Sequence, residues 1–387
     1  MRLKDVKKVE LEITSNCNAA CPGCARTQNL DLITIDTVTL ADIMRLFPDE
    51  ESIADKNFKF CGVLGDPIIN KDCLDIVRYL VVNRGHCQLS TNAGLRDASF
   101  WTELGLLSKL TGRVDINFCI DGHRETNHIY RINTDWDVIE RNIEAYARAG
   151  NDQVWLKDHS NGQALGTWVY IVFDHNEREL EIAQEHAKRL GFQFATRTGM
   201  RNSLHNWISD LKRKDKKTKE VKKETTVITT TGGKEHSKKA LVQALDEFIS
   251  IANRKKKSTP PPGVIMMMTE DDAYEAKKQE VIDSIKCKMI HEDEIFIASN
   301  MTLWPCCFLW DNAFKNKENI NEKLGIFEDG WNDLRKHSID EIMSHPWFEK
   351  ILGDSWDPDH PLHFNRCVRT CAYNKAYQNE FNYKDKA

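Results

Sequence analysis

The sequence has no run of apolar residues approaching the roughly 20 that a membrane-spanning helix requires. Its first residues, MRLKDVKKVELEIT, lack an apolar core of secretory length, so a cytoplasmic protein with no membrane partner is expected. It also lacks a surplus of basic charge. Lys and Arg number 54 against 59 Asp and Glu, a formal net charge of −5, so no molecule-wide positive field announces nucleic-acid binding. Twelve cysteines among 387 residues would mean disulfides in a small secreted domain. In a large chain without a secretory leader they point instead to metal binding or catalysis. The hydrophobic content of 41% is enough for a substantial core, and the length allows one large domain plus a smaller one.

Strand patterns recur at 8–14 (KVELEIT), 57–64, 86–91, 114–120, 167–173 and 192–197. Helical patterns lie between them at about 39–47, 72–84, 98–110, 135–149 and 176–190, the last with Leu180, Ala183, Ala187 and Leu190 on one face. Alternation of this kind implies an α/β fold, a parallel sheet with right-handed crossovers, here an open, partial (β/α)6 barrel. In barrels, chemistry gathers at the C-terminal ends of the strands. The rhythm breaks at 201–262, where a lysine-rich run (LKRKDKKTKEVKKE), a Thr/Gly stretch (TTVITTTGGK) and Pro260 to Pro262 read as a linker or insertion, with one amphipathic segment at 237–252 that can dock as a helix. The expected domains are therefore 1–200, a linker or insertion at 201–262, and a small cysteine-rich region at 263–387.

The cysteines fall into two groups. Cys17, Cys21 and Cys24 occupy the loop after the first strand with the spacing C-x3-C-x2-C. Thiolates are soft ligands suited to zinc, copper(I) and iron-sulfur clusters. Zinc sites more often use paired C-x2-C units and four protein ligands, and no fourth ligand is near in sequence. Three cysteines on a four-iron cluster leave one iron open, as a catalytic metal requires; structural zinc remains the alternative. Cys61, Cys73, Cys87 and Cys119 lack ligand spacing and read as buried free thiols.

Short motifs follow at later strand ends: Gly65-Asp66-Pro67, Ser90-Thr91-Asn92-Ala93-Gly94, then Asp121-Gly122 with His128, Tyr130 and Arg131, and finally Asn176. Each alone reads as a turn. Together with the cysteine loop, in this order, they resemble the radical S-adenosylmethionine (SAM) superfamily. The resemblance implies a 4Fe-4S cluster whose open iron is chelated by SAM, reductive cleavage of SAM to a 5′-deoxyadenosyl radical, and abstraction of a substrate hydrogen. It implies that Gly65, Asp66, Asn92, Asp121, Arg131 and Asn176 contact SAM, and that an electron donor such as a flavodoxin or ferredoxin is a partner. Asp66 stands where the family usually has Glu, and Gly23 where it usually has an aromatic residue beside adenine.

In the second group, Cys287 and Cys306 precede Cys307, Cys367 and Cys371, and residues 294–304 (EIFIASNMTLW) read as a hairpin ending at Pro305-Cys306-Cys307. The rest of the region reads as loop-rich and organised by its metal. This resembles the SPASM and shorter twitch domains that carry auxiliary clusters in the same superfamily, with Met301 at the position of a glycine, so that a different hairpin turn is expected. The resemblance implies a second 4Fe-4S cluster on Cys287, Cys306, Cys367 and Cys371, with Cys307 as a spare or substitute ligand. A four-thiolate zinc site is the alternative. A peptide or protein substrate is the first expectation and a small molecule, such as a cofactor or sugar precursor, the second. The contrasting reading is a non-catalytic metal-binding interaction protein.

Overall fold

A computed structural model describes residues 1–60, 63–150, 166–197, 227–229, 235–237, 282–315, 330–357, 360 and 363–372. Its main element is a mostly parallel eight-stranded sheet in the order β10-β9-β1-β2-β3-β4-β5-β6. The strands are β1 (Lys8–Leu11), β2 (Asn57–Phe60), β3 (His86–Thr91), β4 (Val114–Cys119), β5 (Thr167–Ile171), β6 (Gln193–Arg197), β9 (Glu294–Ile297) and β10 (Leu303–Trp304). Strands β7 (Val227–Thr229) and β8 (Glu235–Ser237) pair antiparallel in a separate two-stranded sheet. The β1 to β6 order follows the sequence, as the partial barrel requires. The α/β class is as expected, and β1 to β6 each fall inside an expected strand span.

By packing, the chain divides into two compact units, one of Met1–Leu11, Met44–Asn57 and Thr259–Ala387, the other of Glu12–Ile43 and Phe58–Ser258. In the first unit β1 pairs in parallel with β9, from Lys8 opposite Glu294 to Leu11 opposite Ile297. The expected hairpin forms, with Leu303 opposite Ile297 and Trp304 opposite Phe296. Through β9 the hairpin joins the sheet of the N-terminal strand. Met301 adopts φ +62° in its turn, the left-handed region that glycine occupies most cheaply, so the residue type differs while a glycine-like conformation is present.

In the second unit β3, β4, β5 and β6 pair in parallel. Phe118 on β4 is its aromatic centre, stacked on Phe192 at 4.9 Å and edge-on to Tyr146 at 5.5 Å. Such rings bury the largest apolar areas in a core. Helix Ala98–Thr111 begins where the Asp97 carboxylate accepts from the Phe100 N–H at 3.1 Å and ends at Gly112 with φ +61°, each a standard stop for the backbone groups left over at a helix end. Helix Trp136–Gly150 turns Ile139, Ile143, Tyr146 and Ala147 inward.

The β7–β8 pair lies within the stretch expected to be linker; its Val227, Ile228 and Thr229 are β-branched residues that favour extended backbone. The 237–252 segment lies, apart from Ser237 in β8, outside the described residues, as does Cys61. Cys73 and Cys87 are buried as expected, whereas Cys119 is only half-buried. Among the described residues no helix is long and apolar enough to cross a membrane.

Candidate functional site

The cysteine loop leaves β1 and is held from several sides. The Asn16 carbonyl accepts from the Asp66 N–H at 2.9 Å, and the Ala20 N–H donates to the Ile132 carbonyl at 2.9 Å. Gly65 lets the loop after β2 approach this closely: a Cβ there would stand 1.7 Å from the Thr14 carbonyl oxygen, which no side chain can satisfy. Cys17, Cys21 and Cys24 pack together with Ala19, Tyr130 and Phe173. Tyr130 and Phe173, with ring centroids 4.6 Å apart, supply aromatic surface beside the cysteines although position 23 is glycine.

Asp66 is buried, with 5% exposure. Its Oδ2 accepts from the Asn92 N–H at 2.8 Å and the Thr91 hydroxyl at 3.1 Å, and its Oδ1 from the Ile68 N–H at 3.2 Å. A carboxylate has about four lone-pair positions, so capacity for a further donor is left. Burial raises the Asp66 pKa above the ordinary carboxylate value, opposed by those three donors and by Arg131.

Asn92 is oriented by the Gly94 N–H, which donates to its Oδ1 at 2.7 Å; its Nδ2 then donates to Asn18 Oδ1 at 2.9 Å and lies 3.8 Å from Cys17 Sγ. Arg131 reaches Asp121 Oδ2 with both Nε and Nη2 at 2.7 Å, while its Nη1 lies 3.6 Å from Cys21 Sγ. Asp121 is fully buried, and its Oδ1 accepts from the Ile171 N–H at 2.6 Å. Burial pushes the Cys21 thiol up to about 12, with Arg131 opposing it. A thiol in such a place becomes a ligand when a metal replaces its proton.

Gly65, Asp66, Asn92, Asp121 and Arg131 are thus brought around the cysteine loop. Asn176 is placed differently. It is fully buried, its Nδ2 donates to the carbonyls of Asp121 at 2.8 Å and Ile171 at 2.9 Å, and its Oδ1 accepts from the Phe173 N–H at 2.7 Å. Both faces of its amide hold backbone, so it shapes the β4 and β5 ends rather than presenting a free group to a ligand.

Other supports are not apparent from motif reading. Glu12, 1% exposed, accepts from the Leu64 N–H at 2.6 Å and the Gly65 N–H at 3.4 Å. Asn142 donates to the Ala93 and Leu95 carbonyls, each at 2.8 Å. Glu179 accepts from the His123 N–H at 2.9 Å and from the Thr126 hydroxyl. Only Glu12 left a signal in the sequence, as a charge inside a strand pattern. Arg26, just after Cys24 and 5% exposed, has a buried Nε without a hydrogen-bond partner among the described residues.

The second cysteine group also assembles. The Cys306 thiol is raised by burial and then by the nearby Cys287 and Cys371, and the Cys367 thiol by burial and then by Cys306, Cys287 and Cys371. Charge at Cys287 and Cys371 thus bears on both the Cys306 and the Cys367 thiols. The Lys286 N–H donates to the Cys371 carbonyl at 3.0 Å, and Cys371 packs with Ile285 and Ala372. Burial, then Glu10, raise the Cys307 thiol well above its ordinary value.

Among the described residues no three His, Cys, Asp or Glu side chains close around a single ion position.

No protein-family model matches the sequence, and no curated protein matches it. Among solved structures the chain is similar to Streptococcus suis SuiB bound to S-adenosylmethionine, with 11% identity, a TM-score of 0.45 and coverage of 92% of this chain and 67% of that one. It is similar to SuiB bound to precursor peptide SuiA, with 11% identity, a TM-score of 0.43 and coverage of 93% and 67%. It is also similar to BtrN in complex with AdoMet and 2-DOIA, with 9% identity, a TM-score of 0.38 and coverage of 94% and 92%.

Proposed function

We propose that the chain is a radical SAM enzyme in which Cys17, Cys21 and Cys24 hold a 4Fe-4S cluster with one iron open to SAM. The observation that carries this reading is the convergence of the loops after β2, β3 and β4 on the cysteine loop, with Asn92 beside Cys17 Sγ and Arg131 beside Cys21 Sγ. The donor set fits the group: three soft thiols among apolar side chains, with cationic and amide N–H donors facing the sulfurs. When bound, the reduced cluster and SAM supply a radical that takes a hydrogen from the substrate.

The chain's own residues orient and shield that chemistry. Asp66 has acceptor capacity for the SAM ammonium, Arg131 offsets thiolate charge at Cys21, and Tyr130 with Phe173 keeps water from the cysteine face. Cys287, Cys306, Cys367 and Cys371 hold a second, fully ligated cluster in this reading, and Cys307 is not a ligand. The substrate class most in keeping with such an arrangement is a peptide or protein, with electrons from a flavodoxin or ferredoxin.

Anaerobic reconstitution tests the reading. Two clusters give about eight irons per chain and the Cys367→Ala/Cys371→Ala variant about four. In that variant, adding SAM changes the electron paramagnetic resonance (EPR) spectrum of the remaining cluster. An unchanged spectrum, or about four irons plus one zinc in the wild type, contradicts the reading at the first or the second site respectively.

A further inference from the structure

Two cations flank the four-cysteine group, each next to a candidate ligand in sequence. Lys288 follows Cys287 and is 4% exposed; its Nζ is 2.7 Å from Glu294 Oε1 and 3.6 Å from Glu10 Oε2. Arg366 precedes Cys367, and its Nη2 lies 3.7 Å from Asp311 Oδ2. Both stand over one ring, Lys288 Nζ 5.4 Å and Arg366 Cζ 5.7 Å from the centroid of Phe308. Phe308 in turn packs against Ile285, Cys371 and Ala372. One ring therefore ties a cation beside Cys287, a cation beside Cys367 and the wall at Cys371 into a single group.

The two cations are not equivalent. The Arg366 side chain is 36% exposed against 4% for Lys288, and water and salt screen an exposed charge far more than a buried one. An ammonium enclosed this deeply has lost most of its hydration, which only close counter-charges can offset. Two carboxylates from separate strands hold it in place, Glu294 at 0% and Glu10 at 5% exposure. Burial and the neighbouring Glu10 hold the Cys307 thiol well above its ordinary value.

We propose that Lys288, positioned by Glu294 and Glu10, sets the electron affinity of the metal-thiolate centre held by Cys287, Cys306, Cys367 and Cys371. The inference rests on reading that set as an iron-sulfur cluster. Reduction adds one electron to the cluster and moves no atom, so the more negative form gains most from an unscreened positive charge nearby. The carboxylates act in the opposite sense. Lys288 is in this account a positioning residue for charge, not a ligand.

The test is an EPR-monitored redox titration of the full-length chain carrying Cys17→Ala, Cys21→Ala and Cys24→Ala, so that only the C-terminal centre reports. Lys288→Met should lower the midpoint enough to reduce the reduced-to-oxidised ratio about tenfold at the wild-type midpoint, a shift of about 59 mV for one electron. Lys288→Arg should restore it. Glu294→Gln keeps the buried cation and should move the midpoint the other way, giving a reading even where Lys288→Met fails to fold. A midpoint that stays at the wild-type value in Glu294→Gln, and in Lys288→Met where that variant folds, overturns the proposal alone. Zinc with no redox signal overturns the cluster reading and the proposal with it.

Discussion

Arg131 Nη1 lies 3.6 Å from Cys21 Sγ while the Nε and Nη2 of the same guanidinium grip Asp121 Oδ2 at 2.7 Å. One partly buried side chain, 17% exposed, thereby connects the end of β4 to the cysteine loop. Removing one partner of a buried pair leaves the other charge uncompensated, at about 3–5 kcal/mol. Arg131→Met should lose about that much stability in anaerobic chemical denaturation. The Arg131→Met/Asp121→Asn double variant should lose less than the sum of the single changes, because the pair is coupled. Additive losses would mean that the two side chains act independently.

Asp66→Ala should have two effects. The Asn92 N–H and Thr91 hydroxyl lose their buried acceptor, which costs about 1–3 kcal/mol, and SAM affinity, measured anaerobically, falls roughly ten- to hundredfold. A variant as stable as the wild type with equal SAM affinity would make Gly65-Asp66 an ordinary turn.

Gly65 and Gly112 should respond differently to alanine. At Gly112 the only obstacle is φ +61°, since nothing lies within 4 Å of an added Cβ, and the substitution should cost about 1–2 kcal/mol with iron content unchanged. At Gly65 the added carbon would overlap the Thr14 carbonyl at 1.7 Å, so the cysteine loop must move. Iron bound per chain should fall in Gly65→Ala. Full iron content there would show that the loop has slack.

Acid should weaken the fold through His186. It is 2% exposed and lies with Nδ1 3.1 Å from His123 Nε2. Burial, then Arg189 and His123, lowers its pKa to about 4. Unfolded histidine titrates near 6.5, so between about 4 and 6.5 the unfolded chain binds the extra proton. Stability from this source is therefore complete above about 6.5, falls as the pH drops, and is gone near 4. Thermal unfolding at pH 7.5 and pH 5 should show a smaller drop for His186→Gln than for the wild type; equal drops would remove His186 as a cause.

The strands and the cysteine loop were legible because their signals are local: alternation over a few residues, and C-x3-C-x2-C directly after a strand. The order of the strand-end motifs also survives in sequence, since a sequentially ordered parallel sheet places successive loops at one edge. What was not legible depends on long-range pairing. Nothing near Lys8 announces Glu294 as its neighbour across the sheet, and that pairing draws the C-terminal hairpin into a unit with the first strand. Asn176 has the right residue type at the right strand end, yet backbone groups of Asp121, Ile171 and Phe173 occupy its amide. Glu12 and Asn142 are buried partners of loop backbone, and such roles follow from the fold rather than from a motif. Met301 carries a left-handed conformation that its side chain does not advertise.

Product formation shows whether the N-terminal cysteine loop makes this chain a SAM-cleaving enzyme. Anaerobically reconstituted protein, reduced with dithionite and incubated with SAM, should release 5′-deoxyadenosine and methionine. The Cys17→Ala/Cys21→Ala/Cys24→Ala variant should release none while keeping about four irons at the other site. Undiminished 5′-deoxyadenosine from the triple variant, or none from iron-replete wild type, would contradict the claim.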